Sequence, residues 1–289
     1  MKDFVATIGM FDGVHLGHQF VLSKVVEEAR QQNLYSMCIT FSHSPKHEQI
    51  LTPLDRKVEL IQALGIERVM VLPFTEDLKR LTAREFMKQW LCEERVKVLL
   101  TGYDNRFGHN REEGFDDYAC YGRELGIEVK ALPAAGSVSS SNIRQLLCNG
   151  QVTEAAQSLG RPYSIGGTVV HGEHLGTLLG FPTANIKIDH PNQLIPAAGA
   201  YAVRVYRGER REERGEYAYG GMMNIGHRPT FGQHAQTLEV HLFDYAGDLY
   251  DRPLTIEFVQ RLRDERQFAS ADALAEQLKQ DAVKAKQAL

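Results

Sequence analysis

The sequence predicts two structural units in succession, an α/β unit built on a parallel sheet and then a unit made mainly of antiparallel strands. The length of 289 residues favours two domains of ordinary size over one. In the first half, short apolar runs alternate with amphipathic segments, which is the βαβα rhythm of a parallel sheet covered on both faces. After Gly160 the strong runs are strand-like and are separated by turn signals, as in an antiparallel barrel or sandwich.

The first unit is expected to alternate strands with helices. One helix spans Leu16–Gln31, and a second opens with Thr52 as N-cap and Pro53 as its first helical residue. A third, running through Cys92, begins with a capping box at Thr82–Glu85. The predicted strands are Phe4–Gly9, Tyr35–Phe41, Arg68–Leu72, Val96–Thr101 and Glu128–Leu132.

The second unit is expected to end with a helix that begins at Ser270 and carries Leu274 and Leu278 on one face. The boundary is placed so that residues 1–158 form the first domain and 159–289 the second; the nearest thing to a linker is Ala134–Ser141. The predicted strands are Gly167–His171, Tyr201–Tyr206, Tyr217–Asn224, Leu238–Phe243 and Leu254–Phe258.

The composition is that of a globular protein, with 43% hydrophobic and 24% charged residues. The formal net charge of −4 argues against nucleic acid as the main partner, although local positive charge still allows a nucleotide. No run reaches the length of a membrane span. Small molecules are the expected substrates, and the cysteine pattern points to a reducing, cytoplasmic setting. The cysteines contain no CxxC pair and are expected to be reduced and buried: Cys38, Cys92, Cys120 and Cys148.

The segment Gly9–His18, GMFDGVHLGH, carries the first candidate site. A strand ends and a helix begins within it, so backbone N–H groups and the helix dipole favour an anion there. His15 and His18 are three residues apart and are expected to point the same way, where both could donate hydrogen bonds to phosphate oxygens. A lone histidine would more simply cap the helix, and a zinc site would need further ligands nearby. The combination with Gly13 and Gly17, which allow close backbone approach, favours phosphate.

This segment resembles the motif of the HxGH nucleotidyltransferases, and its longer form is similar to the FAD synthetase branch. Two further segments agree with that resemblance: TGYDNRFG at 101–108 and SSSNIR at 139–144. The resemblance implies a Rossmann-like domain in which His15, His18, Asp104 and Arg144 act in adenylyl transfer, Arg144 by gripping phosphate. The residues implied to contact the nucleotide are Gly9, Phe11, Asp12, Gly13, Gly17, Gly102, Phe107, Ser139, Ser140 and Ser141.

A second candidate site lies at residues 172–185, which read GEHLGTLLGFPTAN. Gly172, Gly176 and Gly180 suit a loop that wraps phosphates with backbone donors, although glycines in a β protein are as readily turns and bulges. No Walker A or Rossmann glycine motif is present. The segment beginning at Pro182 resembles the PTAN signature of the riboflavin kinases. That resemblance implies that Thr183 and Asn185 hold Mg²⁺ and ATP phosphates, in keeping with the preference of magnesium for oxygen ligands.

Glu239 is the candidate base of this second site. In the strand LEVHLFDY, Glu239 and His241 share the face opposite the apolar residues, and a surface glutamate is the simplest interpretation of that position. The resemblance to riboflavin kinases instead makes Glu239 the general base that takes the proton from the ribityl hydroxyl. Arg263, in RLRDERQF, is expected either near the new phosphate or as a solvated surface side chain.

Together the resemblances imply an antiparallel riboflavin kinase barrel behind the adenylyltransferase. The barrel would convert riboflavin to FMN with ATP and Mg²⁺, and the first domain would adenylylate FMN to FAD with release of pyrophosphate. One alternative is a riboflavin kinase whose N-terminal unit is a degenerate nucleotide-binding regulatory module. Another is an N-terminal transferase for a different substrate, with the barrel as a binding module, against which the PTAN segment and Glu239 argue.

One position departs from the FAD synthetase pattern. The family has a His-Pro pair after the second strand, where this chain reads FSHSPKH, with Ser44 before the proline and His43 displaced by one residue. Neighbouring residues at a strand end point to opposite sides, so His43 does not simply substitute. We therefore expect adenylyl transfer to be present but slower than the kinase step.

Overall fold

A computed structural model describes residues 2–42, 49–102, 105–109, 112–133, 138–171, 180–208, 218–230 and 233–289. The chain divides into two compact units, Met1–Ser140 and Ser141–Leu289. Residues 141–158 therefore pack with the second unit, and the boundary at 158/159 between the two activities stays a prediction. Five residues named for the predicted sites or for the departure from the family pattern lie outside the described residues: His43, Ser44, Asp104, Gly172 and Gly176.

The first unit contains a parallel sheet with the strand order β3-β2-β1-β4-β5. This confirms the predicted Rossmann-like sheet. Alternate residues of the central strand pack into different clusters, Ala6 and Ile8 on one side and Val5 on the other, so both sheet faces are covered. The strands are β1 (Phe4–Ile8), β2 (Tyr35–Phe41), β3 (Arg68–Leu72), β4 (Val96–Thr101) and β5 (Glu128–Ala131).

Helices connect these strands. They are α1 (Leu16–Gln31), α2 (Leu54–Ala63), α3 (Glu76–Arg80), α4 (Ala83–Phe86), which continues as a π-helical segment Met87–Cys92, and α5 (Phe115–Leu125). The capping box of Thr82 with Glu85 is confirmed. The expectation for α2 is wrong by one residue, because Pro53 is the N-cap. Thr52 instead uses its backbone N–H to reach the Asp12 carboxylate at 3.1 Å, which holds it before the helix.

The second unit is a closed antiparallel barrel with the strand order β10-β7-β6-β11-β8-β9, preceded and followed by helices. The predicted barrel is confirmed. Its helices are α6 (Ser140–Cys148), α7 (Val152–Leu159) and α8 (Ala271–Ala288), and the predicted N-cap Ser270 accepts a hydrogen bond from the Ala273 N–H. The strands are β6 (Tyr163–Val170), β7 (Ala184–Ile188), β8 (Gly199–Arg207), β9 (Tyr219–Thr230), β10 (Gln233–Leu242) and β11 (Pro253–Asp264).

The sequence did not predict β7, which closes the barrel between β6 and β10. This strand is short and begins two residues after Pro182, so its residues looked like the end of a phosphate loop. Strand β6 also begins earlier than predicted, because two glycines interrupt its apolar pattern. At Gly167 a Cβ would lie 2.4 Å from Ile186 Cγ2, so this glycine allows β6 to approach β7 closely.

The cysteines differ from the expectation of burial. Cys38 is buried on β2, Cys92 is half-buried, and Cys120 and Cys148 are exposed. Burial raises the pKa of the Cys38 thiol, so that side chain is inert. The prediction is wrong for Cys120 and Cys148, which occupy solvent-facing positions of the amphipathic helices α5 and α6. Among the described residues, no helix combines the length and apolar character that crossing a membrane would require.

Candidate active sites

The first site lies at the point where the order of the parallel strands reverses. From β1 the chain proceeds outward through β2 to β3, and it then crosses back to form β4 on the other side of β1. Ligands of open α/β sheets bind outside the carboxyl ends of the strands at such a point. The Asn105 amide donates a 2.6 Å hydrogen bond to the Ile8 carbonyl. This hydrogen bond joins the segment after β4 to the end of β1. Asn105 of the TGYDNRFG segment thereby lies next to the start of the GMFDGVHLGH segment. Sequence reasoning did not single out Asn105.

The turn between β1 and α1 has an unusual backbone. Phe11 has φ of 50° and Val14 has φ of 40°, and Gly13 between them has φ of 87°. A positive φ is a true outlier for a β-branched residue such as Val14. Such strain persists only where the surroundings over-determine it, and it concentrates at functional sites. Here Phe11 and Val14 are buried, and the carboxylate of Asp12 accepts the Leu51 N–H at 3.0 Å as well as that of Thr52.

The two histidines of this turn are in contact with each other. Their rings stack at a centroid distance of 3.6 Å with 19° between the planes, and Phe11 packs edge-on against His18 at 5.2 Å. His15 is the N-cap of α1, and its Nδ1 accepts the His18 backbone N–H at 3.4 Å. An accepting Nδ1 places the proton of a neutral ring on Nε2. The capping interpretation and the phosphate interpretation are thus compatible, since the cap uses only the Nδ1 atom of His15.

Glycines in this turn make room for the rings. A Cβ at Gly17 would lie 3.2 Å from His15 Cε1, and a Cβ at Gly9 would lie 3.0 Å from the Phe11 ring. These contacts are tighter than ordinary side chains adopt, so a methyl group at either position would displace a ring. The absence of a side chain at Gly17 therefore leaves room for the His15 ring, which explains why a glycine lies between the two histidines.

The other predicted residues of this site have mixed placements. Ser140, the last residue of the first unit, donates from its Oγ to the Asp12 carbonyl at 2.9 Å. Phe107 is only 8% exposed, and its ring stacks on that of Tyr118 at a centroid distance of 4.1 Å. Gly102 and Arg144 are half-buried, and Ser139 and Ser141 are exposed.

Lys57 is a polar residue near the turn that sequence reasoning missed. It lies on α2, is 4% exposed, and donates to the carbonyls of Met10 at 3.1 Å and Phe41 at 2.8 Å. Burial lowers the pKa of Lys57, while the charges of Asp12 and Cys38 oppose this. A signal was present in the sequence: Lys57 occupies the helical stripe otherwise formed by apolar residues, namely Leu54, Val58 and Ile61.

The second site is a cavity of about 300 Å³ in the barrel unit. It contains three of the predicted residues, Thr183, Glu239 and Arg263. Its walls combine large apolar side chains with a few polar groups, which is the usual make-up of a pocket for a flat organic ligand. The apolar and sulfur-containing walls are Phe181, Met222, Met223, Phe268, Leu274 and Leu278.

Glu239 is placed on β10 by the register of the barrel. Its cross-strand partners are Asn185 on β7 and Asn224 on β9. Cross-strand partners project from the same face of a sheet, so the carboxylate is flanked by two amide side chains. Thr183 lies two residues before Asn185 and lines the same cavity. The sequence interpretation of Glu239 as a plain surface residue does not hold, because this position is half-buried at the cavity.

Arg263 is held in place by the C-terminal helix. Its Nε donates to Asp281 Oδ2 at 2.8 Å, and Asp281 is only 1% exposed. Gln277 donates to the other oxygen of Asp281 at 2.7 Å and accepts from Arg266. The expectation of a solvated surface arginine is therefore wrong, and Arg263 is a fixed part of the cavity wall. On the opposite wall, His241 Nδ1 lies 2.7 Å from the Pro182 carbonyl, which fixes the segment before β7.

The donor set of the second site suits a hard cation held partly by a nucleotide. Hydroxyl, amide and carboxylate oxygens come from Thr183, Asn185 and Glu239, all of which belong to one region of the barrel. In the part of the chain that is described, no group of three or more His, Cys, Asp or Glu residues could hold a metal ion.

Known proteins resemble both units of the chain. A family model described as FAD synthetase matches residues 1–144, and one described as riboflavin kinase matches residues 159–289. A protein of Escherichia coli (strain K12) named bifunctional riboflavin kinase/FMN adenylyltransferase is 37% identical over 295 residues, covering 98% of this chain and 92% of that protein. A protein of Bacillus subtilis (strain 168) with the same name is 33% identical, with coverage of 96% and 90%.

A solved structure also matches along the chain. A crystal structure described as a macrolide-efflux protein from Streptococcus pneumoniae superposes with a TM-score of 0.89 at 30% identity. The match covers 99% of this chain and 94% of that one.

Proposed function

Because this chain belongs to the bifunctional riboflavin kinase/FMN adenylyltransferase family, we propose that its two sites divide the two reactions between them. The enzyme phosphorylates riboflavin to FMN and adenylylates FMN to FAD, with ATP as co-substrate. The match of the FAD synthetase model to residues 1–144 favours an active adenylyltransferase over a degenerate regulatory module. We also propose that the enzyme works in the cytoplasm, where its free cysteines stay reduced.

In the adenylyl transfer, a phosphate oxygen of FMN attacks the α-phosphorus of ATP, and the bond to the β,γ-pyrophosphate breaks. No covalent intermediate on the enzyme is required, so catalysis consists of positioning and charge stabilisation. His15 Nε2–H and the His18 ring are assigned to the phosphate oxygens that gain charge as the pyrophosphate leaves. Arg144 and the hydroxyls of Ser139 and Ser141 are assigned to ATP phosphates, and Asp104 to the nucleotide or its metal.

The observation that supports this first assignment most strongly is the fixed geometry of the histidine pair. The two rings stack on each other, cap the helix through His15 Nδ1, and pack against Phe11. Donors that are already oriented cost no reorganisation at the moment of transfer. A turn held with two non-glycine residues at positive φ is what such orientation requires.

In the kinase reaction, the ribityl hydroxyl oxygen of riboflavin attacks the γ-phosphorus of ATP and ADP leaves. Glu239 accepts the hydroxyl proton, as a carboxylate beside the reacting oxygen can. The isoalloxazine ring is assigned to the apolar walls of the cavity formed by Phe181, Met222 and Phe268. Arg263, oriented by Asp281, is assigned to the new phosphate.

Magnesium is proposed as the metal of the kinase site. Thr183 and Asn185 would hold it together with ATP phosphates, and the bound ion would neutralise charge on the transferring phosphoryl group. The hydroxyl, amide and carboxylate oxygens of Thr183, Asn185 and Glu239 support this choice over zinc, which takes nitrogen and sulfur ligands in structural sites. The glycines at 172 and 176 are proposed to wrap the phosphates.

One assay tests the function as a whole. The protein is incubated with riboflavin, ATP and Mg²⁺, and FMN and FAD are separated over time. The proposal expects FMN first and FAD after it. FMN alone would support the regulatory-module alternative, and the absence of any flavin product would overturn the assignment of both sites. Repeating the assay with excess chelator should stop FMN formation if magnesium is the metal.

A further inference from the structure

Lys57 joins the carboxyl ends of two neighbouring strands of the first unit. Its Nζ donates at 3.1 Å to the carbonyl of Met10, which begins the strained turn, and at 2.8 Å to the carbonyl of Phe41, the last residue of β2. The Thr40 hydroxyl donates to the same Met10 carbonyl at 3.1 Å. The Met10 carbonyl therefore has two buried side-chain donors at the point where the turn leaves the sheet.

A lysine is an unfavourable choice for this place unless its donors are needed. Transfer of an amino group from water into an apolar interior is costly, and the other residues of this helical stripe are apolar. A leucine or methionine would fill the same space without that cost. Without the lysine, the carbonyls of Met10 and Phe41 would each lose a hydrogen-bond donor. The polar contacts of Lys57, rather than its packing, therefore explain why a lysine lies here.

The same region of the chain anchors the turn at a second point. The backbone N–H groups of Leu51 and Thr52, just before α2, bind the Asp12 carboxylate. Lys57, one turn into α2, binds Met10. The strained residues Phe11 and Val14 thus lie in a turn whose first half is attached twice to the start of α2. These attachments hold the turn in place, which allows the strained backbone of Phe11 and Val14 to persist.

We propose that Lys57 is a positioning residue for adenylyl transfer, holding the Met10–Val14 turn so that His15 and His18 meet the ATP phosphates in the correct geometry. This inference rests on the proposed function of the two histidines. Lys57 acts through the Met10 and Phe41 carbonyls and is not assigned a contact with substrate. A displacement of about 1 Å at a catalytic group costs about a hundredfold in rate, so a small shift of this turn is sufficient.

The test is Lys57→Met, which keeps the length of the side chain and removes its donors. We expect kcat for FMN-to-FAD conversion to fall by about ten- to a hundredfold. The KM for FMN should change little, and kinase activity in the same protein should be unchanged. The matched control is Lys24→Met, at a half-exposed lysine of α1 paired with Glu27, which should leave both activities as they are.

A spectroscopic readout separates positioning from general weakening of the fold. In spectra of histidine-labelled protein, the ring signals of His15 and His18 should shift in Lys57→Met, while that of the exposed His109 in the same unit should not. Unchanged ring signals together with unchanged kcat would overturn the proposal. A fall in kcat without any shift of the two ring signals would overturn it as well.

A second variant keeps the test decisive if Lys57→Met does not fold. Thr40→Val is nearly isosteric and removes only the other donor to the Met10 carbonyl, so it should lower kcat several-fold with the same ring-signal shifts. Normal kcat and ring signals in a folded Thr40→Val protein would then overturn the proposal. The proposed function itself fails differently, because in that case His18→Ala would leave FAD formation intact.

Discussion

The two candidate active sites of this chain are built in opposite ways. The turn proposed for adenylyl transfer is continuous in sequence, and the histidines assigned to it lie within Met10–His18 on a backbone held under strain. The cavity proposed for the kinase reaction draws Thr183 from the segment before β7, Glu239 from β10 and Arg263 from β11, and it is closed by the C-terminal helix. One site depends on the shape of a single turn, and the other on the register of a barrel.

This difference determines which kinds of substitution should reduce the activity of each site. A local turn transmits small steric changes directly to the histidines, because His15 already touches Gly17 and Phe11 already touches His18. A cavity assembled from paired strands tolerates small changes in its walls but depends on individual chemical groups. The following variants test that contrast, from the largest expected effect to the smallest.

Glu239→Gln should lower FMN formation by about 10²- to 10⁴-fold, because the amide keeps the shape of the side chain and removes the base. FMN-to-FAD conversion should survive, since it takes place in the other site. Both rates are measured by separating the flavins chromatographically. Glu276→Gln, at an exposed glutamate of α8, is the control, and near-normal FMN production by Glu239→Gln would refute the assignment.

His18→Ala should lower FAD formation by about a hundredfold or more, the range for loss of one charge-stabilising donor. FMN formation should barely change. The exposed His109 of the same unit provides the control variant His109→Ala. If both activities fell together while circular dichroism showed a folded protein, the separation of the two sites would be wrong.

Gly17→Ala should separate activity from stability. Alanine is better than glycine inside a helix by about 1 kcal/mol, so the thermal unfolding temperature should not fall markedly. The new Cβ would press on the His15 ring, and FAD formation should drop by about tenfold because the ring is displaced. Wild-type FAD formation in this variant would show that the position of the His15 ring does not matter.

Ser44→His should produce the smallest effect, an increase in the FMN-to-FAD rate on the order of a few-fold. The histidine would restore the family's donor, but a loop side chain loses about 1 kcal/mol of conformational entropy when it is ordered. Kinase activity should stay the same. If the substitution is neutral or harmful for the FMN-to-FAD rate, then Ser44, or a water that it holds, already serves the phosphate.

The sequence indicated more of the arrangement of the first candidate site than of the second, for the same structural reason. The stacking of His15 on His18 is local, so their spacing predicted that both side chains lie on the same side of the turn. The ion pair of Arg263 with Asp281 and the pairing of Glu239 with Asn224 depend on strand register and helix docking, which no short pattern encodes. Lys57 was missed because its two carbonyl partners, in the turn after β1 and at the end of β2, are distant in sequence.

The central claim, two independent sites in one chain, is tested most directly by mixing two inactive partners. Neither His18→Ala nor Glu239→Gln should convert riboflavin to FAD efficiently when incubated alone with ATP and Mg²⁺. An equimolar mixture should make FAD, because FMN released by the first protein is adenylylated by the second. A mixture that makes no more FAD than the two proteins produce separately would contradict the account.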